Sequence, residues 1–65
     1  MSERLPQFVV LGTWGTYSEA RVGYDLRHAK KVQSGWKGRG ADRIEIFEVD
    51  GLHEIASWVR PVEGT

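Results

Sequence analysis

The sequence predicts a small α+β domain of order β-α-β-β, a three-stranded sheet with one helix packed on one face. Three observations predict it. A dense apolar run, Phe8-Val9-Val10-Leu11, lies between Pro6 and the glycines at 12 and 15. Apolar residues then recur at steps of three and four from Val22 to Trp36. Two further apolar segments flank Asp50-Gly51, a dipeptide that favours a tight hairpin turn.

Residues 7–14 read as the first strand, because bulky and β-branched side chains fit a pleated surface and proline and glycine bound the run. Both faces of residues 8–11 are apolar, which marks a central strand. Gly12-Thr13-Trp14-Gly15 reads as a strand-to-helix turn. Thr16-Tyr17-Ser18-Glu19 fits a capping box, with Thr16 as N-cap and Glu19 reaching back to its N–H. Val22, Leu26, Ala29, Val32 (or Gln33) and Trp36 would form the buried stripe of the helix. Gly35, Gly38 and Gly40 can each supply a left-handed C-cap, which sets the helix end between 34 and 37.

Residues 44–49 and 52–59 read as the second and third strands, joined by Asp50-Gly51. A two-residue turn there sets Val49 opposite Leu52, Glu48 opposite His53, Phe47 opposite Glu54 and Ile46 opposite Ile55. A right-handed crossover would place the first strand parallel to one hairpin strand. Alternation sends Ile44, Ile46, Ile55 and Val59 under the helix. Phe47, Val49, Leu52, Ala56 and Trp58 point the other way, among Arg43, Glu45 and Glu54. One helix covers one face of such a sheet, so this second set would stand in water unless something docks on it. Contiguous apolar surface of this kind marks association. Phe47, Val49, Leu52 and Trp58 are therefore the candidate protein-binding residues, with a second copy of the chain as the first partner. Two other readings compete: the tails, Leu5 and Pro61 included, fold over this face, or a one-residue register slip exchanges the faces.

The 65 residues allow one domain, 1–65, with 1–6 and 61–65 expected as flexible tails. With no cysteine the chain holds no disulfide scaffold, thiolate zinc site or cysteine nucleophile. No apolar run approaches the roughly 20 residues of a membrane span. Met1-Ser2-Glu3-Arg4-Leu5-Pro6 contains no apolar signal core, so the expected location is cytoplasmic.

The net charge of zero conceals segregation. Residues 21–43 hold seven Lys and Arg against two Asp, a net +5, whereas residues 44–65 carry −4 and residues 1–20 carry −1. The alternative function is therefore nucleic-acid binding through Arg27, Lys30, Lys31, Trp36, Lys37 and Arg39, with Arg21, His28 and Lys31 on one helical side. The competing reading is a solvated helix whose last-turn cations complement its dipole.

Chemistry finds little support. His28 has Asp25 three residues earlier, an ordinary helical contact, and His53 would face Glu48 with no nucleophile beside the pair. The glycines match no phosphate-cradling loop or dinucleotide fingerprint. The expectation is a non-catalytic protein without metal or cofactor. Its size is that of regulators, adaptors or inhibitors, including those of phages and mobile elements, which work by occupying a partner's surface.

Phe8-Val9-Val10-Leu11-Gly12-Thr13-Trp14, followed by Ser18-Glu19-Ala20, resembles the opening strand and helix start of SPOR-type peptidoglycan-binding domains, over about a quarter of the chain. The resemblance implies a helix beginning near Ser18. Those domains contain two βαβ halves in an envelope protein, whereas this sequence offers one half followed by a hairpin, so their function is not carried over.

Overall fold

β1 (Phe8–Trp14) forms where the apolar run predicts it, and it is a central strand. The computed structural model describes residues 5–62. After β1 the chain does not enter a helix. It turns at Gly15-Thr16 into β2 (Tyr17–Gly23), which pairs antiparallel with β1 from Trp14↔Tyr17 to Phe8↔Gly23. Gly15 has φ +60°, so glycine occupies the first central position of this two-residue turn, as a type II′ hairpin requires. The capping-box expectation at Thr16 is thereby overturned. Ser18, Glu19 and Ala20, which carried the resemblance to a helix start, are strand residues.

α1 (Leu26–Gly38) starts later, capped by Asp25, whose Oδ1 accepts the His28 N–H at 2.8 Å. It ends through Gly40, where φ of +86° lets the Gly40 and Ala41 amides return to the Lys37 and Trp36 carbonyls at 3.1 Å each. Of the expected stripe, Ala29, Gln33 and Trp36 are buried and Val32 is half-buried. Leu26 is exposed, and Val22 belongs to β2.

β3 (Arg43–Glu48) and β4 (Glu54–Val59) complete a sheet of order β2-β1-β3-β4. The described residues thus form an α+β fold with four strands, not three. Every pairing among the described residues is antiparallel, so β1 lies between two antiparallel neighbours and not beside a parallel one. The crossover is made instead by α1, which joins β2 to β3 on either side of β1 and packs against all three.

The second hairpin departs from its expected register. Phe47 does face Glu54, and the Glu48 amide donates to the His53 carbonyl at 2.7 Å. An irregularity between Ile46 and Phe47 then puts Ile46 opposite Ala56 and Ile44 opposite Trp58. The connecting loop spans residues 49–53, with positive φ at Gly51 (+82°) and Leu52 (+53°), and the Val49 amide donates to Gln7 rather than across the hairpin. β4 therefore turns Ala56 and Trp58 toward the helix side and leaves Ile55 and Val59 exposed, the reverse of the expectation.

The core comprises Phe8, Val10, Ala29, Trp36, Ala41, Ile44 and Ile46, with Trp14, Val32, Ala56 and Trp58 packed against it. Asp42 ties its far end. Asp42 Oδ2 accepts the Gly15 N–H, Oδ1 pairs with Arg60 at 2.6 Å, and the Asp42 amide donates to Thr13 at 2.8 Å.

Candidate functional site

Strand alternation and the observed registers define the sheet face opposite α1. Across it, Val22, Val9 and Phe47 form one row with Glu54, and Ala20, Leu11, Glu45 and Ser57 form the next. Ser18, Thr13, Arg43 and Val59 form the third. Val9, Leu11 and Phe47 are half-buried by their neighbours, while Val22 (43%), Ile55 (42%) and Val59 (62%) are exposed. The competing reading, in which the tails fold over this face, finds no support in the described residues: Leu5, Pro61 and Val62 are themselves exposed. Residues 1–4 and 63–65 lie outside the described residues.

The charges on this face are few and opposed. Arg43 reaches Glu45 at 3.5 Å. A hydrogen bond shared with Glu45 holds the Glu54 carboxyl above the ordinary glutamate range, because ionising it would give up that bond and place two anions together.

The four residues expected to bind protein do not share this surface. Phe47 is on it. Val49 sits past the end of β3 beside a shallow depression lined by Leu5 and Pro6, and Leu52 is in the loop. Trp58 lies on the helix side, its ring 5.0 Å from Lys37 Nζ. Val9, Leu11, Val22, Ile55 and Val59 take the places of the other three. The continuous apolar run of β1, apolar on both faces, was the signal for Val9 and Leu11, while Val22 was hidden by its assignment to a helix.

A second feature lies on the opposite side. Between α1 and β2 runs an open groove of about 340 Å³ whose rim carries Arg21, His28, Lys31 and Arg39. Arg21, His28 and Lys31 thus come together as the spacing suggested, although Arg21 reaches the group from a strand. Gly35 and Trp36 line the groove between them. Trp36 is only 3% exposed and packs edge-on to Trp14 at 5.3 Å, so it cannot offer a stacking face to a base. Arg27 and Lys30 are exposed on α1 outside the groove, and Lys37 is engaged over Trp58. His28 stacks on Tyr24 at 5.8 Å and accepts the Tyr24 N–H at Nδ1 (3.3 Å), which leaves Nε2 as its N–H donor. Beyond the groove, Tyr17 donates its hydroxyl to Glu19 at 3.0 Å. That bond to a carboxylate raises the phenol pKa, against the lowering influence of Arg39.

Among the described residues no helix is long and apolar enough to cross a membrane. No family model, curated protein or solved structure matches the chain. The functional reading therefore rests on these two surfaces.

Proposed function

We propose that the protein is a non-catalytic association module that works by docking the open face of its sheet on another protein surface, in the first instance a second copy of itself. One observation carries the reading: among the described residues a four-stranded sheet has one helix, packed on one face, and the other face presents Val9, Leu11, Val22, Phe47, Ile55 and Val59. Full burial of one such side chain is worth about 1.5–3 kcal/mol, so each half-exposed residue retains about 1 kcal/mol of unrealised stabilisation. Self-association is favoured by two further points. The face carries Arg43 against Glu45 and Glu54, so an identical surface meets it without a large field of one sign. Two of the seven core residues are alanines, and a face-to-face partner would add a second apolar layer to a chain near the lower size limit for one core.

The test is the solution mass of wild type and of a Val9→Thr/Phe47→Thr variant, which keeps strand-compatible branched side chains and alters no charge. The expected outcome is a wild-type dimer at high micromolar concentration and a folded monomeric variant with an unchanged far-ultraviolet circular dichroism spectrum. If the double variant fails to fold, Val22→Lys/Val59→Lys repeats the test at exposed positions on the two edge strands. A wild type that is monomeric throughout overturns self-association.

A further inference from the structure

We propose that the groove between α1 and β2 is a track for the phosphodiester backbone of a nucleic-acid strand. The inference stands apart from the association reading, because the groove is on the helix side of the sheet. Its first support is charge. Arg21, Lys31 and Arg39 border it, and none of them forms an ion pair within the described residues. The nearby carboxylate of Glu19, on the same strand face as Arg21, is turned to the Tyr17 hydroxyl and does not line the groove. Cations left without acidic partners around one concavity raise the local anion concentration even when the whole molecule is neutral.

Its second support is Gly35. Glycine inside a helix is unfavourable relative to alanine, and a packing reason usually accounts for one. Here there is none: a Cβ at Gly35 would meet nothing within 4 Å, and φ is not positive. The other glycines of the sheet–helix contact behave differently, since a Cβ at Gly12 would strike Trp36 and one at Gly23 would press on Ala29. What glycine supplies at 35 is a low floor between Lys31 and Arg39, where the helix backbone is open to close approach.

Shape decides the kind of anion. Lys31 and Arg39 stand about 12 Å apart along the helix direction at 1.5 Å per residue, and Arg21 reaches the same groove from β2. Their arrangement is linear and open, which suits a run of phosphates spaced about 3.4 Å along the axis rather than one compact anion. Because Trp36 is withdrawn into the core, recognition would be of backbone charge without base stacking, and hence indifferent to sequence.

The experiment is fluorescence anisotropy with a labelled mixed-sequence oligonucleotide of about 20 residues, single-stranded and duplex, at low salt. Wild type should bind at least one form, with affinity falling steeply as salt rises. Arg21→Gln and Lys31→Gln should each weaken binding about 3- to 10-fold and lower the salt slope by about 1. Arg60→Gln, the same charge change at a residue paired with Asp42, should leave it within about twofold. Gly35→Glu is the decisive variant: it should abolish binding while the melting temperature is maintained, since the site has room for the side chain. Absence of binding by wild type, wild-type affinity in Gly35→Glu, or capture by phosphatidylserine vesicles in preference to oligonucleotide would each overturn the proposal.

Discussion

A Cβ at Gly12 would stand 2.5 Å from Trp36 Cε3 and 3.0 Å from Trp14 Cη2, both in rings held by the core. A Cβ at Gly35 would stand in open space. Two glycine-to-alanine changes should therefore have opposite signs. Gly12→Ala forces the Trp36 ring off its contact with β1 and should cost about 1–3 kcal/mol, as overpacking does. Gly35→Ala removes backbone freedom from the unfolded chain and should add about 0.5–1 kcal/mol. Urea unfolding of both variants at one temperature checks the pair, and two changes of the same sign would contradict the packing described. Neither role was readable from composition: the sequence shows Gly12 only as the close of an apolar run and Gly35 only as one of three cap candidates. The distinction arises from which face of β1 meets α1, a fact of tertiary structure.

At the scale of elements, β1, β3 and the buried positions Ala29, Gln33 and Trp36 were legible because their apolar patterns are strong and local. β2 was not. Its two sides, Tyr17, Glu19 and Arg21 against Ser18, Ala20 and Val22, are polar enough to pass for the exposed turns of a helix, and Thr16 with Glu19 imitates a cap. The burial that distinguishes the two cases comes from pairing with β1, which lies outside any local window. The β3–β4 register failed for a similar reason: Asp50-Gly51 suits a two-residue turn, yet the loop places its positive φ angles at Gly51 and Leu52 and the strand takes up the shift at Ile46 and Phe47. The register that results brings Glu54 beside Glu45, and stability should depend on pH in consequence. A carboxyl whose folded pKa is raised contributes stability fully below its unfolded pKa and loses it as pH rises through the folded value. Glu54→Gln keeps a neutral hydrogen-bonding side chain at every pH. It should melt above wild type at neutral pH, and the difference should close below about pH 4, where Glu54 is protonated in both folded and unfolded chains. A difference independent of pH would show that the carboxyl pair is not its source.

For the whole molecule, the two surfaces lie on opposite sides of one sheet, and that placement has a consequence neither surface has alone. If two copies meet through their open faces, each helix and its groove point away from the interface. Helix–sheet and sheet–sheet layers are each about 10 Å deep, which separates the two helix axes by roughly 30 Å. A strand confined to one groove gains nothing from the dimer, whereas a longer strand that spans both converts its second contact into an intramolecular event, commonly worth 10²–10⁴ in avidity. The expected outcome is a length-dependent difference between wild type and the monomeric Val9→Thr/Phe47→Thr variant. With an oligonucleotide of about 8 residues the two should bind alike, because the substitutions are uncharged and lie across the sheet from Arg21, Lys31 and Arg39. With one of about 60 residues wild type should bind at least tenfold more tightly. Equal affinity for the long strand, from proteins whose dimer and monomer states have been verified by mass, would mean that the grooves are not joined through the open faces. Weaker binding of the short strand by the variant would place part of the nucleic-acid contact on the open face itself, against the separation of surfaces that the sheet order implies.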